Sequence, residues 1–240
     1  MILNENPKIE IVNDDCLNYL KTLEDKSIDL ILTDPPYNTG MSQKNSNGST
    51  RLSHFFDDDY TEENYQKLVD SCAREFWRLL KDDRYIYIYI NWKEYPRWFY
   101  AIKNAGFIIK DCIVWDKIIH GLGGQYKYQH EFIIFAEKGN PPIKQPSELG
   151  RYFTDIWRVQ RINYLDKEHD TQKVIGIIEI PILHGSKESD TILDPFMGSG
   201  TTGVACVNLN RNFIGVEISE KYCKIAEQRI KNTLSQPKLI

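Results

Sequence analysis

Two kinds of hydrophobic pattern alternate along the chain. Short apolar stretches at residues 9–12, 28–33, 85–90, 107–115, 131–137, 191–194 and 212–217 have the length and β-branched or aromatic content of strands. The clearest is Tyr85-Ile86-Tyr87-Ile88-Tyr89-Ile90. Between the stretches, apolar residues recur at helical spacing over 16–23, 61–80, 93–105, 173–184, 200–208 and 219–232. Within 61–80 the apolar face is Tyr65, Leu68, Val69, Cys72, Phe76, Leu79 and Leu80. Gly106 supplies a C-terminal cap for the third helix, and Pro181 predicts a kink or early end for the fourth.

Strands alternating with helices predict an α/β fold with a doubly wound, mostly parallel sheet in a single domain over residues 1–240. No helix separates 107–115 from 131–137, which predicts one antiparallel pair at an edge. Two stretches have no period. Residues 38–60 are rich in Ser, Asn, Gly and Asp and read as a long mobile loop, and residues 139–170 read as an irregular insertion.

Composition narrows the class only slightly. The chain has 240 residues, 41% hydrophobic and 27% charged, which is ordinary for a soluble globular protein. No apolar run reaches membrane-span length, and Met1-Ile2-Leu3-Asn4-Glu5 lacks the basic and apolar regions of a signal peptide. The five cysteines are scattered, with no CxxC pair, so neither a metal site nor a disulfide framework is expected; a cytoplasmic location is. A net charge of -4 leaves no global footprint for nucleic acid, so any such surface must be local.

The run 28–33 delivers Asp34-Pro35-Pro36-Tyr37. Two prolines forbid continuation of strand or helix and remove two N–H donors. What remains is a rigid corner that accepts hydrogen bonds through a carboxylate and carbonyls, with an aromatic face beside it. That set suits a ligand presenting an NH₂ group; taken alone it also suits a capped turn beside an ordinary tyrosine.

A second chemistry-bearing stretch, Asp194-Pro195-Phe196-Met197-Gly198-Ser199-Gly200-Thr201-Thr202-Gly203, joins a strand to a helix. Gly198, Gly200 and Gly203 satisfy G-x-G-x-x-G, and Glu217 ends the next strand, where an acid binds ribose hydroxyls. No lysine precedes Thr201, which argues against a Walker loop. Too little chain follows Gly203 for a second dinucleotide half, and Asp194 would repel a pyrophosphate. S-adenosylmethionine fits better, with its ribose on Glu217, its amino group near Asp194 and no phosphate.

Together, Asp34 to Tyr37 and Asp194 to Thr202 resemble the amino-group DNA methyltransferases of the β class, in which the catalytic motif precedes the cofactor motif in a circularly permuted order. The similarity extends from Asp14-Asp15-Cys16 to Asn212-Phe213-Ile214-Gly215-Val216-Glu217 and takes in Gln129-His130-Glu131 and His169-Asp170-Thr171-Gln172-Lys173. Two positions depart from it, Asp170 and Val174, where the family often has proline.

The resemblance implies S-adenosylmethionine as cofactor and DNA as partner. It implies that Asp34 and the Pro35 carbonyl accept the two N–H bonds of a flipped-out base, while Tyr37 stacks on it and Pro36 completes the corner. Asp15 matches a position on the cofactor adenine, or caps its helix; Thr171 and Lys173 match positions near the methionine carboxylate. Phe196 and Thr201 match the pocket wall, and His130 is expected as a hydrogen-bonded structural histidine.

Lys44 and Arg51 in the loop, and Arg151, Arg158 and Arg161 in the insertion, are the candidate DNA contacts, with solvated charges as the alternative. Adenine N6 is the expected target, with cytosine N4 next, because relatives with serine at the Asp34 position lean to cytosine. A homodimer, a cognate restriction endonuclease and a bacterial or phage source all belong to the same resemblance. An inactive DNA- or partner-binding module is the alternative from another class.

Overall fold

The computed structural model describes residues 1–38, 60–121, 125–142, 154–160 and 173–236. Nine strands form one sheet: β1 (Ile2–Glu5), β2 (Lys8–Asn13), β3 (Ile28–Thr33), β4 (Leu80–Ile90), β5 (Ile108–Asp116), β6 (His130–Lys138), β7 (Ile156–Arg158), β8 (Thr191–Asp194) and β9 (Asn212–Glu217). The helices are α1 (Cys16–Leu20), α2 (Glu62–Leu79), α3 (Tyr95–Ala105), α4 (Ile175–Gly185), α5 (Thr201–Asn208) and α6 (Glu220–Leu234). Strand order is β1-β2-β9-β8-β3-β4-β6-β5-β7.

The fold is α/β with a mostly parallel sheet, as the alternation predicts. Antiparallel pairing goes beyond the expected β5–β6 pair: β4 also runs antiparallel to β6, and β1 to β2 at the opposite edge. Strand β1 is too polar to register in the sequence pattern. Where the helix bounds differ from the expected ones, they do so by one to three residues. α1 stops at Leu20 because the Thr22 N–H and hydroxyl both donate to the Tyr19 carbonyl, and α3 begins at Tyr95 rather than Lys93. β4 starts at Leu80, five residues before the apolar run, through the polar stretch Lys81 to Arg84. The described part of the insertion contributes β7, parallel to β5.

The alternating run in β4 assigns each face of the sheet its own core. Tyr85, Tyr87 and Tyr89 face a cluster built with α4, α5 and α6, whereas Ile86, Ile88 and Ile90 face one built with α1, α2 and α3. Each buried tyrosine hydroxyl has a partner: Pro142 O at 3.1 Å, His184 Nδ1 at 2.6 Å and Ile177 O at 2.7 Å respectively. The last of these explains why Pro181 does not end α4. Proline at 181 cannot donate to the carbonyl four residues earlier, and Tyr89 donates to that carbonyl instead.

Candidate active site

The chain leaves β3 toward β4 on one side and leaves β8 toward β9 on the other. The crevice outside the carboxyl ends of these adjacent strands is therefore a topological switch point, where α/β sheets bind ligands. Asp34 follows β3 there, and Pro195 follows β8. The two motifs, distant in sequence, are joined by Thr33 Oγ1 donating to Asp194 Oδ1 at 3.0 Å. A cavity of about 190 Å³ reaches from one to the other.

The proline corner is braced from below. Tyr65 on α2 donates its hydroxyl to Pro36 O at 2.5 Å and accepts from Trp98 Nε1 at 3.2 Å. Tyr37 donates its hydroxyl to Asp34 Oδ1 at 2.5 Å. Lys173, just ahead of α4, lies 3.0 Å from Asp34 Oδ2 and 2.5 Å from Glu131 Oε2. Lys117 holds the other oxygen of Glu131 at 2.5 Å. Burial pushes Asp34 above the usual carboxylate range, with Lys173 pulling it down and Glu131 adding to the rise. Burial alone would also raise Glu131, but its two ammonium partners outweigh that and hold it at about 2.

At the glycine turn, Asp194 is 4% exposed and accepts from Thr33, from Phe196 N at 3.2 Å and from Thr202 Oγ1 at 2.6 Å. Burial pushes it up to about 7 despite these donors. Glu217 accepts from Gly198 N at 3.0 Å and from Ser219 N at 2.8 Å, which fixes its carboxylate at the end of β9. Arg229 on α6 staples the turn by donating to Ser199 O and Oγ and to Thr201 Oγ1.

Residues 28–228 match the DNA methylase family of the N6/N4 type. The chain is 31% identical to the type II methyltransferase M.HpaI of Haemophilus parainfluenzae, across 92% of this chain and 73% of that one. The crystal structure of the M1.HpyAVI–SAM complex superposes with a TM-score of 0.69 at 26% identity, covering 92% of this chain and 98% of that one. The cytosine-N4-specific PvuII DNA methyltransferase shares the fold, with a TM-score of 0.71 at 15% identity over 97% of this chain and 95% of that one.

The chain belongs to the N6/N4 DNA methylase family. It is an S-adenosylmethionine-dependent amino-group DNA methyltransferase, and the cavity chemistry fits that cofactor. Asp15, Asp194 and Glu217 line it with Phe196, Gly198 and Thr201. With Asp14 and Asp34 the lining holds five acidic side chains against one ammonium, Lys173, a balance that disfavours phosphate and suits a ligand carrying sulfonium and ammonium charge. Among the described residues of the methyltransferase, no helix is long and apolar enough to cross a membrane.

Of the residues expected from sequence, Asp34, Pro36, Asp15, Lys173, Asp194, Phe196, Gly198, Thr201 and Glu217 line this one cavity. Asp15 also caps α1 by accepting from Asn18 N at 3.1 Å, which is the capping role the sequence allows it. Gly200 acts through packing: a Cβ there would meet Ala226 Cβ at 2.7 Å. Lys173 sits among carboxylates at the proline corner. Val174 has φ -74° and ψ 135°, an extended backbone that proline also adopts, so the departure at 174 leaves the approach to α4 undistorted.

His130 differs from expectation. It is exposed, its ring edge-on to Phe132 at a centroid distance of 5.0 Å, with no ring hydrogen bond among the described residues. Arg158 is 76% exposed and 3.6 Å from Asp116. Thr171, Lys44, Arg51, Arg151 and Arg161 lie outside the described residues. Glu131, Lys117, Tyr65 and Arg229 escaped assignment. The available signal was an acid opening the apolar run of β6, opposite Trp115 in the β5 register.

Proposed function

We propose that this methyltransferase acts on adenine N6 of a base flipped out of DNA, using Asp34 and the Pro35 carbonyl as acceptors for the amino group. The observation that carries this reading is the cavity that joins the Asp34 corner to the glycine turn. The exocyclic nitrogen is a poor nucleophile because its lone pair is delocalised into the ring. Two fixed acceptors favour a pyramidal nitrogen and stabilise the positive charge that develops on it.

S-adenosylmethionine supplies an electrophilic methyl for direct in-line transfer, in which the N–C bond forms as the S–C bond breaks and the nitrogen then sheds a proton. The Tyr65 and Tyr37 hydrogen bonds support a corner held ready for this task, because they fix the Pro36 carbonyl and the Asp34 carboxylate in advance. Tyr37 stacks on the base, which requires its ring to offer a face while its hydroxyl stays near Asp34. Asp15, Thr171, Phe196, Thr201 and Glu217 hold the cofactor, with Asp194 near its amino group.

The reading treats residues 1–240 as one methyltransferase domain, with 139–170 as the target-recognition element and arginines there contacting DNA. Its place of action is the cytoplasm. Type II relatives such as M.HpaI support a restriction–modification setting with a cognate endonuclease. A second protomer, forming a homodimer, would complete a short recognition element.

The test uses purified protein, labelled S-adenosylmethionine, duplex and single-stranded DNA, and RNA, with products digested and identified by mass spectrometry. N6-methyladenine in DNA, lost in Asp34→Ala with cofactor binding retained, is the expected result. N4-methylcytosine would correct the base and keep the corner. Cofactor binding without label in any nucleic acid would overturn the reading in favour of an inactive module.

A further inference from the structure

Four charged side chains from separate parts of the fold meet behind the proline corner. Asp34 follows β3, Glu131 lies on β6, Lys117 follows β5 and Lys173 precedes α4. The Lys173 ammonium has three N–H bonds and three acceptors: Glu131 Oε2 at 2.5 Å, Asp34 Oδ2 at 3.0 Å and Tyr37 Oη at 3.4 Å. All three donors are thereby used. The rings of Tyr89 and Trp115 flank the same nitrogen, each with its centroid at 5.2 Å. Two carboxylates and two ammoniums sum to zero charge.

We propose that Glu131 is a positioning residue for methyl transfer: through Lys173 it fixes the Asp34 carboxylate and cancels the ammonium charge beside the reacting nitrogen. The inference rests on the reading of Asp34 as the amino-group acceptor. An ammonium 3.0 Å from that acceptor steadies the carboxylate but opposes a cation forming on the substrate. Glu131 removes the opposition and leaves the steadying contact. Lys117, on the far oxygen of Glu131, keeps that acid from taking a proton itself. Lys173 accordingly serves Asp34 and not the methionine carboxylate of the cofactor.

The groups acting on Asp34 come from every element around it: Tyr37 from the corner, Lys173 ahead of α4, Glu131 on β6, Tyr89 on β4 and Asp194 at the end of β8. Charge balance among them gives opposite signatures for the two partners. Losing the negative Glu131 makes Asp34 easier to ionise, and losing the positive Lys173 makes it harder.

The experiment measures kcat for methyl transfer against pH, together with the S-adenosylmethionine dissociation constant. The proteins compared are the wild type, Glu131→Gln, Lys173→Gln, the double variant and Asp34→Ala. Each single variant is expected to lose about ten- to hundredfold in kcat, the range for one charge-assisted hydrogen bond, with cofactor affinity unchanged. The acidic limb moves to lower pH in Glu131→Gln and to higher pH in Lys173→Gln. The double variant, neutral again, turns over no more slowly than the worse single one.

Additive losses, limbs moving in the same direction, or weakened cofactor binding in Lys173→Gln would overturn the inference. Where Glu131→Gln does not fold, Lys173→Gln decides alone, because Glu131 retains Lys117 as its partner. Wild-type turnover by Asp34→Ala would remove the reading underneath. An inactive Asp34→Ala beside a fully active Glu131→Gln would remove only the positioning role.

Discussion

Tyr89 donates its hydroxyl to the carbonyl of Ile177 at 2.7 Å, the carbonyl left without a helical partner by Pro181. A strand residue thus completes the hydrogen bonding of a helix packed across it. Tyr89→Phe leaves that buried carbonyl unsatisfied and is expected to cost about 1–3 kcal/mol in denaturant unfolding. Adding Pro181→Ala returns an N–H at position 181 and recovers much of the loss. Equal destabilisation with and without Pro181→Ala would count against the pairing.

The Tyr65 hydroxyl ties α2 to the Pro36 carbonyl and receives the indole N–H of Trp98. Tyr65→Phe removes the brace without opening a large cavity. We expect up to a roughly 100-fold loss of kcat from misplacement of the corner, with cofactor affinity preserved. Steady-state methylation kinetics beside cofactor titration separate the two effects.

Asp194 has its folded pKa raised to about 7 by burial, so the folded protein takes up a proton that the unfolded chain releases near the usual carboxylate value. Its contribution to stability is therefore full below that ordinary value and is lost as pH rises through about 7. Cofactor-free wild type should lose stability between mildly acidic and neutral pH at up to about 1.4 kcal/mol per pH unit. Asp194→Asn should flatten that slope. An unchanged slope in thermal or denaturant unfolding would exclude Asp194 as its source.

Two glycines of the turn predict different penalties. Gly200 has φ +78°, and a Cβ there would strike Ala226 on α6, so Gly200→Ala should cost about 3 kcal/mol or more. Gly198 has φ +51°, but a Cβ there meets no atom within 4 Å, so Gly198→Ala should cost roughly 1 kcal/mol from backbone alone. Chemical denaturation of the two variants without cofactor makes the comparison.

The motifs legible in sequence are those whose chemistry is local. The double proline of the corner and the spacing of Gly198 and Gly200 constrain the backbone wherever they occur, and both stretches carry acids beside them. Glu131, Lys117 and Lys173 gain their meaning only when β6, β5 and the approach to α4 converge, and no local period announces that. Arg229 reads as one more polar position on an amphipathic helix until it is seen to bind Ser199 and Thr201. At the level of elements, β1 and the first half of β4 were hidden by polar residues at exposed positions, where edge and rim strands need no apolar alternation.

The insertion of β8 and β9 between β2 and β3 has a consequence for biosynthesis. Strands β1 and β2 can pair as soon as they are made. By contrast, β2 and β3 cannot become neighbours, because the slot between them belongs to β8 and β9, which follow much later in the chain. Until those arrive, β2 and β3 present open edges, and β3, buried on both faces in the finished protein, is the more aggregation-prone. The Thr33–Asp194 bond that joins the two motifs is thus among the latest contacts a nascent chain can make. The proline corner and the glycine turn therefore cannot be brought together before β8 has taken its place beside β3.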